Sequence, residues 1–205
     1  MDHSETLHIL AASGSSRPDN YTRRVLALAV DELQTRHRFQ VDLIDLATSD
    51  FPFPGQGPSQ ATRRAQELVK EAAGILLATP EYHGSYSSAM KQFIENLGFP
   101  STLAGKPVAL LGAAAGQIGA VKALEHLGSV CSHVGAFVLP GPVSVARVHK
   151  VFDGQGRCLD AAIEKRIRGL ATHLVEFIHS RTCPRAALEQ SVRGARTERT
   201  LQPSS

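Results

Sequence analysis

Apolar and polar positions follow two rhythms along this chain. The first is the short apolar run: Leu7 to Ala12, Gly74 to Thr79, Pro107 to Gly112 and Gly135 to Leu139. Runs of this length, bounded by turn residues and without alternation, predict strands covered on both faces. A further strand is predicted over Phe39 to Leu46, where Phe39, Val41 and Leu43 alternate with Gln40 and Asp42, the pattern of a strand nearer an edge. The second rhythm is three- and four-residue spacing, the mark of amphipathic helices. It predicts helices over 20–36 (Tyr21, Val25, Leu28, Ala29, Leu33), 60–73 (Ala61, Ala65, Leu68, Val69, Ala72) and 86–97 (Met90, Phe93, Ile94, Leu97 inward). Two more are predicted over 117–131 (Ile118, Val121, Leu124, Leu127) and 159–179 (Leu159, Ile163, Ile167, Leu170, Leu174, Ile178 on one face).

Strands alternating with helices imply right-handed crossovers and a parallel sheet with helices on both faces. Five strands favour the flavodoxin-like doubly wound order 2-1-3-4-5 over the six-stranded dinucleotide type. In such a sheet, ligands lie beyond the carboxyl ends of the strands where strand order reverses. That directs attention to the loops after the first, third and fourth strands.

Composition narrows the setting. The chain has 205 residues, 42% apolar and 20% charged, an ordinary globular balance. Its net charge of +3 is carried by residues 181–205, with Arg181, Arg185, Arg193, Arg196 and Arg199 against Glu189 and Glu198. Residues 1–180 sum to zero and carry no electrostatic footprint for nucleic acid. The expected division is therefore a domain over 1–180 and a basic, disordered tail over 181–205, which lacks an apolar period. Three scattered cysteines, Cys131, Cys158 and Cys183, make neither a disulfide framework nor a zinc site, and read as free thiols in a reducing compartment. Met1 to Ser13 lacks the features of a signal segment. The long uncharged run His126 to Ala146 is broken by glycines and prolines, so no membrane span is expected and a cytoplasmic location is.

The three loops hold the unusual chemistry. The first, Ser13 to Thr22, gathers hydroxyls, an amide, Arg17 and helix N-terminal N–H groups, a donor set suited to a dianionic phosphate. It lacks the Gly-Lys-Ser/Thr ending of a nucleotide-hydrolysing loop, so it would anchor a phosphate that does not react. The same residues also read as an ordinary Ser/Asn-capped helix start. The second loop, Thr79 to Ser88, holds two of the three tyrosines, Tyr82 and Tyr86, with Pro80 and Gly84 shaping a turn whose backbone can approach a flat ring. The third, Gly112-Ala113-Ala114-Ala115-Gly116-Gln117-Ile118-Gly119, either lets backbone lie against a ligand or simply permits close packing.

Gly14-Ser15-Ser16-Arg17 with Asn20 to Thr22, and above all Thr79-Pro80-Glu81-Tyr82-His83-Gly84-Ser85 leading into Ala89-Met90-Lys91-Gln92, resemble the NADPH-dependent FMN reductase family. The resemblance runs from about Leu7 to about Ile178. It implies noncovalent FMN, with phosphate at Ser13, Ser15, Arg17, Asn20, Tyr21 and Thr22. Pro80, Glu81, Tyr82, His83, Gly84 and Ser85 would run along the isoalloxazine ring, and Ala113, Ala114 and Gly116 near its other side. It also implies NADPH (or NADH) as co-substrate, a small-molecule electron acceptor and a homodimer or homotetramer. The family more often has Asn where this chain has His83. A main-chain contact there would leave the flavin unaffected, whereas a side-chain contact would set a titratable imidazole against its polar edge.

Other candidates read as structure. His173 and His179 are six residues apart with Glu176 between, which puts the two histidines about 120° apart on a helix and away from a metal-binding pair. No Ser–His–Asp or Cys–His set emerges, and Glu81 reads as a structural polar group. The expected function is transfer of hydride from NAD(P)H to bound FMN and then to free flavin, a quinone, an azo compound or a metal oxyanion; no catalytic side chain is needed because the flavin carries the chemistry. The alternative is an FMN-binding one-electron carrier or redox sensor. Carriers of this fold tend to be acidic, which residues 1–180 are not. A ligand-free interaction module would leave the first loop unexplained.

Overall fold

The structure, a computed structural model, describes residues 7–200, with side chains as far as residue 180. Its strands are β1 (His8–Ser13), β2 (Gln40–Asp45), β3 (Gly74–Tyr82), β4 (Ser85–Tyr86), β5 (Pro107–Ala113), β6 (Phe137–Val138) and β7 (Val143–Val145). Its helices are α1 (Tyr21–Asp31, continuing as a π-helical stretch Glu32–Arg36), α2 (Gln60–Glu71), α3 (Ser88–Glu95), α4 (Val121–His133), the short α5 (Val148–Val151) and α6 (Ala161–Thr200). The main sheet runs β2-β1-β3-β5-β6, all parallel, which is the expected 2-1-3-4-5 of the five principal strands.

Apolar runs become two-faced strands because successive side chains point to opposite sides. Ile9 and Ala11, Leu76 and Ala78, and Ala109 and Leu111 join the core beneath α1 and α6. Leu10 and Ala12, Ile75 and Leu77, and Val108 and Leu110 join the core beneath α2, α3 and α4. Close packing of α4 onto β5 depends on Gly112, where a Cβ would lie 2.6 Å from Ala120 Cβ and 3.0 Å from Leu124 Cγ. On the other face, Arg168 of α6 bridges Asp31 at 2.6 Å, the buried Glu32 at 3.4 Å and Glu164 at 2.9 Å, pinning α6 to the end of α1.

The fold departs from the periodicity in four places. The fifth strand shrinks from Gly135–Leu139 to Phe137–Val138, and β7 takes over pairing with the later half of β5. Pro140 and Pro142 have no N–H to donate and interrupt the ladder between them. Second, β3 extends past Thr79 into a hairpin with β4, turned by His83 (φ 49°) and Gly84 (φ 71°). A two-residue turn with positive φ at both central residues matches the strand twist, and His is among the side chains that adopt that region. Third, α4 begins at Val121 rather than 117, so Ile118 and Val121 are exposed instead of facing the core; Leu159 and Leu43 are exposed as well. Fourth, α6 continues to Thr200, so no end of helix marks the expected boundary at 180. No helix among the described residues is long and apolar enough to cross a membrane.

Cys131 lies fully buried on α4, and burial pushes its thiol up to about 12, from 9.0. The unfolded chain ionises this thiol first, so its contribution to stability is complete below pH 9 and is lost as pH rises toward 12. Stability of the native chain should therefore fall above pH 9 by up to about 1.4 kcal/mol per pH unit more steeply than that of Cys131→Ala. Urea unfolding of the two proteins between pH 8 and 11 measures this, and identical slopes would contradict it.

Candidate functional site

Parallel pairing brings the carboxyl ends of β1, β3 and β5 side by side, with Ser13 opposite Ala78 and Pro80 opposite Ala113. The loops that leave these ends enclose a cleft of about 420 Å³, within the range of small-ligand sites. Of the residues expected there, Ser15, Arg17, Asn20, Tyr21, Thr22, Pro80, Glu81, Tyr82, Ala113 and Ala114 line it. Ser13, His83, Gly84, Ser85 and Gly116 do not. Ala115, within the third loop expected beside the ring, lines it too, and Pro18, Asp19 and Val148 line it without having been singled out. Val148 follows β7 and reaches the cleft because its N–H donates to Ala114 O at 3.0 Å; no local signal announces such a contact.

The first loop is locked by its backbone. Gly14 N–H donates to Ala78 O at 2.7 Å and Ser87 Oγ donates to Gly14 O. A Cβ on Gly14 would lie 2.7 Å from both Ala78 O and Met90 Cε, so only glycine lets the loop lie this close to β3 and α3. Ser15 is buried and its Oγ accepts from Arg17 N–H at 3.3 Å. Asn20 caps α1: its Oδ1 accepts from Arg23 N–H at 2.8 Å while its Nδ2 donates to Arg17 O at 2.7 Å. The capped-helix reading thus holds for Asn20, whose amide shapes the loop. Tyr21 and Thr22, in the first turn, carry N–H groups that have no partner within the helix. Arg17 has no carboxylate within ion-pair distance among the described residues, and its guanidinium carbon lies 5.0 Å from the centre of the Tyr82 ring, joining the first loop to the second. Ser13 Oγ is fully buried at the foot of this loop and has no hydrogen-bond partner among the described residues.

The second loop is held from behind. Thr79 Oγ1 donates to Pro80 O at 2.9 Å and accepts from Ser87 N–H at 3.2 Å; Ser87 Oγ in turn accepts from Met90 N–H at 3.1 Å and caps α3. Glu81 Oε2 accepts from Ala123 N–H of α4 at 3.0 Å, and Ser85 Oγ and His126 Nδ1 are hydrogen-bonded at 3.0 Å. Tyr82 faces the cleft, but Tyr86 packs against Ala114, Ala120 and Ala123 instead, where burial raises its phenol above the ordinary range. In the third loop, Ala114 N–H donates to Val145 O at 3.0 Å and Arg147 N–H donates to Gly116 O at 2.9 Å, so β7 backs this wall. Arg147 adopts φ 45°, and with Asp19 (φ 47°) and His83 it places a strained non-glycine residue in or beside each of the three loops.

A larger groove of about 990 Å³ lies elsewhere, lined by Ile94, Phe99, Pro100, Val130, Val134 and neighbouring residues at the C-terminal ends of α3 and α4. Helices run back against their strands, so this groove sits toward the amino ends of the sheet, the wrong end for the ligand site of such a fold.

The pattern that defines NADPH-dependent FMN reductases matches residues 7–150. The chain belongs to the NADPH-dependent FMN reductase family. It is 31% identical over 165 residues to the NAD(P)H-dependent FMN reductase PA1204 of Pseudomonas aeruginosa, covering 77% of this chain and 87% of that one. It is 33% identical over 153 residues to the NADPH azoreductase of a Bacillus species, covering 73% and 82%. In fold it is similar to FerB, the flavoenzyme NAD(P)H:(acceptor) oxidoreductase of Paracoccus denitrificans, with a TM-score of 0.73 at 22% identity over 85% of this chain and 98% of that one.

The cleft of this FMN reductase family member can be tested against the cofactor its family implies. A phosphate needs converging donors and positive charge; the Arg17 guanidinium, the Ser15 and Thr22 hydroxyls and the first N–H groups of α1 meet that need, with no ion pair to Arg17 among the described residues. A flat apolar ring needs smooth walls; Pro80, Tyr82, Ala113, Ala114, Ala115 and Val148 furnish them. The residues present fit FMN. Among the described residues no cluster of three or more His, Cys, Asp or Glu could hold a metal ion.

Proposed function

We propose that this chain is an FMN-dependent oxidoreductase that passes electrons from NAD(P)H to a small organic acceptor, with FMN in the cleft beyond β1, β3 and β5. The observation that carries the reading is the meeting, within one cleft, of Arg17, which has no carboxylate at ion-pair distance among the described residues, with apolar walls. Ser15, Arg17, Thr22 and the N–H groups of Tyr21 and Thr22 would hold the phosphate; Pro80 to Tyr82 and Ala113 to Ala115 would flank the ring. Asn20 shapes the phosphate loop rather than binding through its amide. When bound, FMN supplies the hydride chemistry. The chain's own part is to bind, orient and leave one side open. Among the described residues no histidine or cysteine lines the cleft, and of its two carboxylates Glu81 is engaged with α4 and Asp19 stands in the phosphate loop, so the protein contributes position and electrostatics in place of an acid–base pair.

Quinones and azo compounds are the proposed acceptor class, since the family reading and the name of the Bacillus relative both point to flat, electron-poor molecules. Residues 1–180 are proposed as the FMN-binding unit with 181–205 as a basic extension. A cytoplasmic location is supported by the free Cys131 and Cys158. The homo-oligomer is proposed to use the groove at the ends of α3 and α4, where Phe99 is fully exposed among Ile94, Val130 and Val134.

Anaerobic addition of NADPH to the FMN-loaded protein should bleach the flavin spectrum within the mixing time, and benzoquinone should restore it. A flavin that stays oxidised with both nicotinamides would overturn the reductase reading. Combined Ser15→Ala and Arg17→Ala should weaken FMN at least about tenfold while leaving riboflavin unchanged; equal loss for both ligands would move the phosphate elsewhere. In light scattering the native chain should form a dimer or tetramer that Phe99→Glu dissociates. A native monomer would contradict the proposed interface.

A further inference from the structure

The N-terminus of α4 cannot cap itself. Four N–H groups at a helix start lack partners within the helix, and the residue at the N-cap here, Ala120, has no side-chain oxygen to offer. Two oxygens from elsewhere meet the need: Ser144 Oγ accepts from Ala120 N–H at 2.8 Å, and Glu81 Oε2 accepts from Ala123 N–H at 3.0 Å. The second is the better matched, because a carboxylate also complements the positive end of the helix.

Glu81 does not belong to α4's own strand or loop. It stands where β3 leaves the sheet, opposite Tyr86 in the β3–β4 hairpin, and it lines the cleft. On the far side of the turn, Ser85 is hydrogen-bonded to His126, three residues along α4 from Ala123 and therefore on the same helix face. The hairpin is thus fastened to α4 on both flanks of its tip. Such fastening is needed: β4 is two residues long, and a ribbon that short has no stability of its own. Tyr86 fills the space between hairpin and helix by packing on Ala114, Ala120 and Ala123.

We propose that Glu81 is a positioning residue: by capping α4 it holds the Glu81–Tyr86 hairpin and the Ala114–Ala120 segment at a fixed separation, and so sets the width of the slot that receives the flavin ring. The proposal rests on the FMN reading of the cleft. It gives the structural role expected of this carboxylate a definite partner: beyond lining the cleft, its Oε2 acts on the slot through α4. Gln, whose amide oxygen can still accept from Ala123, should replace it; Asp, one methylene shorter, should not.

The test compares wild type with Glu81→Ala, Glu81→Gln, Glu81→Asp and Ser144→Ala. FMN is titrated into each apoprotein by flavin fluorescence quenching, visible circular dichroism of the bound flavin is recorded, and amide exchange is followed over residues 121–124. Glu81→Ala should weaken FMN about tenfold, change the flavin dichroism and speed exchange at the start of α4. Glu81→Gln should stay within about threefold of wild type with its dichroism unchanged. Ser144→Ala loosens the same helix end without touching the hairpin, so it should speed exchange there and weaken FMN less than Glu81→Ala. Unchanged affinity and dichroism in Glu81→Ala would overturn the proposal, as would a Glu81→Gln protein as weak as Glu81→Ala. Should Glu81→Ala fail to fold, the order of the other two decides: Gln binding more tightly than Asp supports capping, and the reverse overturns it. A wild-type protein that binds no FMN would overturn the FMN reading instead, and the exchange data would still report the cap.

Discussion

Parallel pairing of β3 with β1 on one side and β5 on the other is the constraint on which the site depends. Its register puts Ala78 beside Ser13 and Pro80 beside Ala113, so three chain segments leave the sheet within a few residues of one another. Burial enforces this alignment. A one-residue slip would exchange the two faces of β3, sending Leu76 and Ala78 from the α1–α6 core to the α2–α4 core and reversing every contact at once. The cleft is therefore a consequence of how an entirely apolar strand is covered on both sides.

The loops then do two different kinds of work. Much of their polar chemistry is turned inward to hold backbone: Thr79 and Ser87 bind one another's neighbourhood, Asn20 closes its own turn, and Glu81 reaches across to α4. What is left facing the cleft is a smaller set, chiefly Arg17 with Ser15 and Thr22, set against smooth apolar walls. That division explains how a reductase can lack an obvious catalytic side chain. The protein's contribution is a rigid slot and a fixed positive charge, and rigidity comes from hydrogen bonds that never touch the ligand.

Strand and helix positions were legible in the sequence wherever burial against the neighbouring layers alone decided the pattern. Gly74 to Thr79 could hardly be anything except a central strand, and β1 and β5 read as clearly. Legibility failed where distant segments compete. The fifth strand position is shared by β6 and β7 because two prolines interrupt it, and the partner that completes β5 lies beyond that break. Ile118 and Val121 fit a helical face, but α4 starts only where Glu81 and Ser144 supply its missing acceptors, which lie 42 and 24 residues from their donors in sequence. At the site, the loops were found by their place in the fold and their composition. Val148 was not; for Asn20 and Glu81 a capping or structural duty was legible but the partners, Arg17 O and Ala123 N–H, were not, since residue type reports what a side chain can bind and not which neighbour reaches it first.

The central claim, that the three loops form one FMN site at the carboxyl ends of β1, β3 and β5, is tested most directly by titrating FMN into the isotope-labelled apoprotein and following backbone amide resonances. Amides of Ser15 to Arg17, Asp19 to Thr22, Glu81, Tyr82 and Ala113 to Ala115 should shift together with one binding constant, while those of Phe99, Ser101 and Val130 to Gly135 stay in place. Shifts confined to a single loop, or centred on the groove at the ends of α3 and α4, would contradict it.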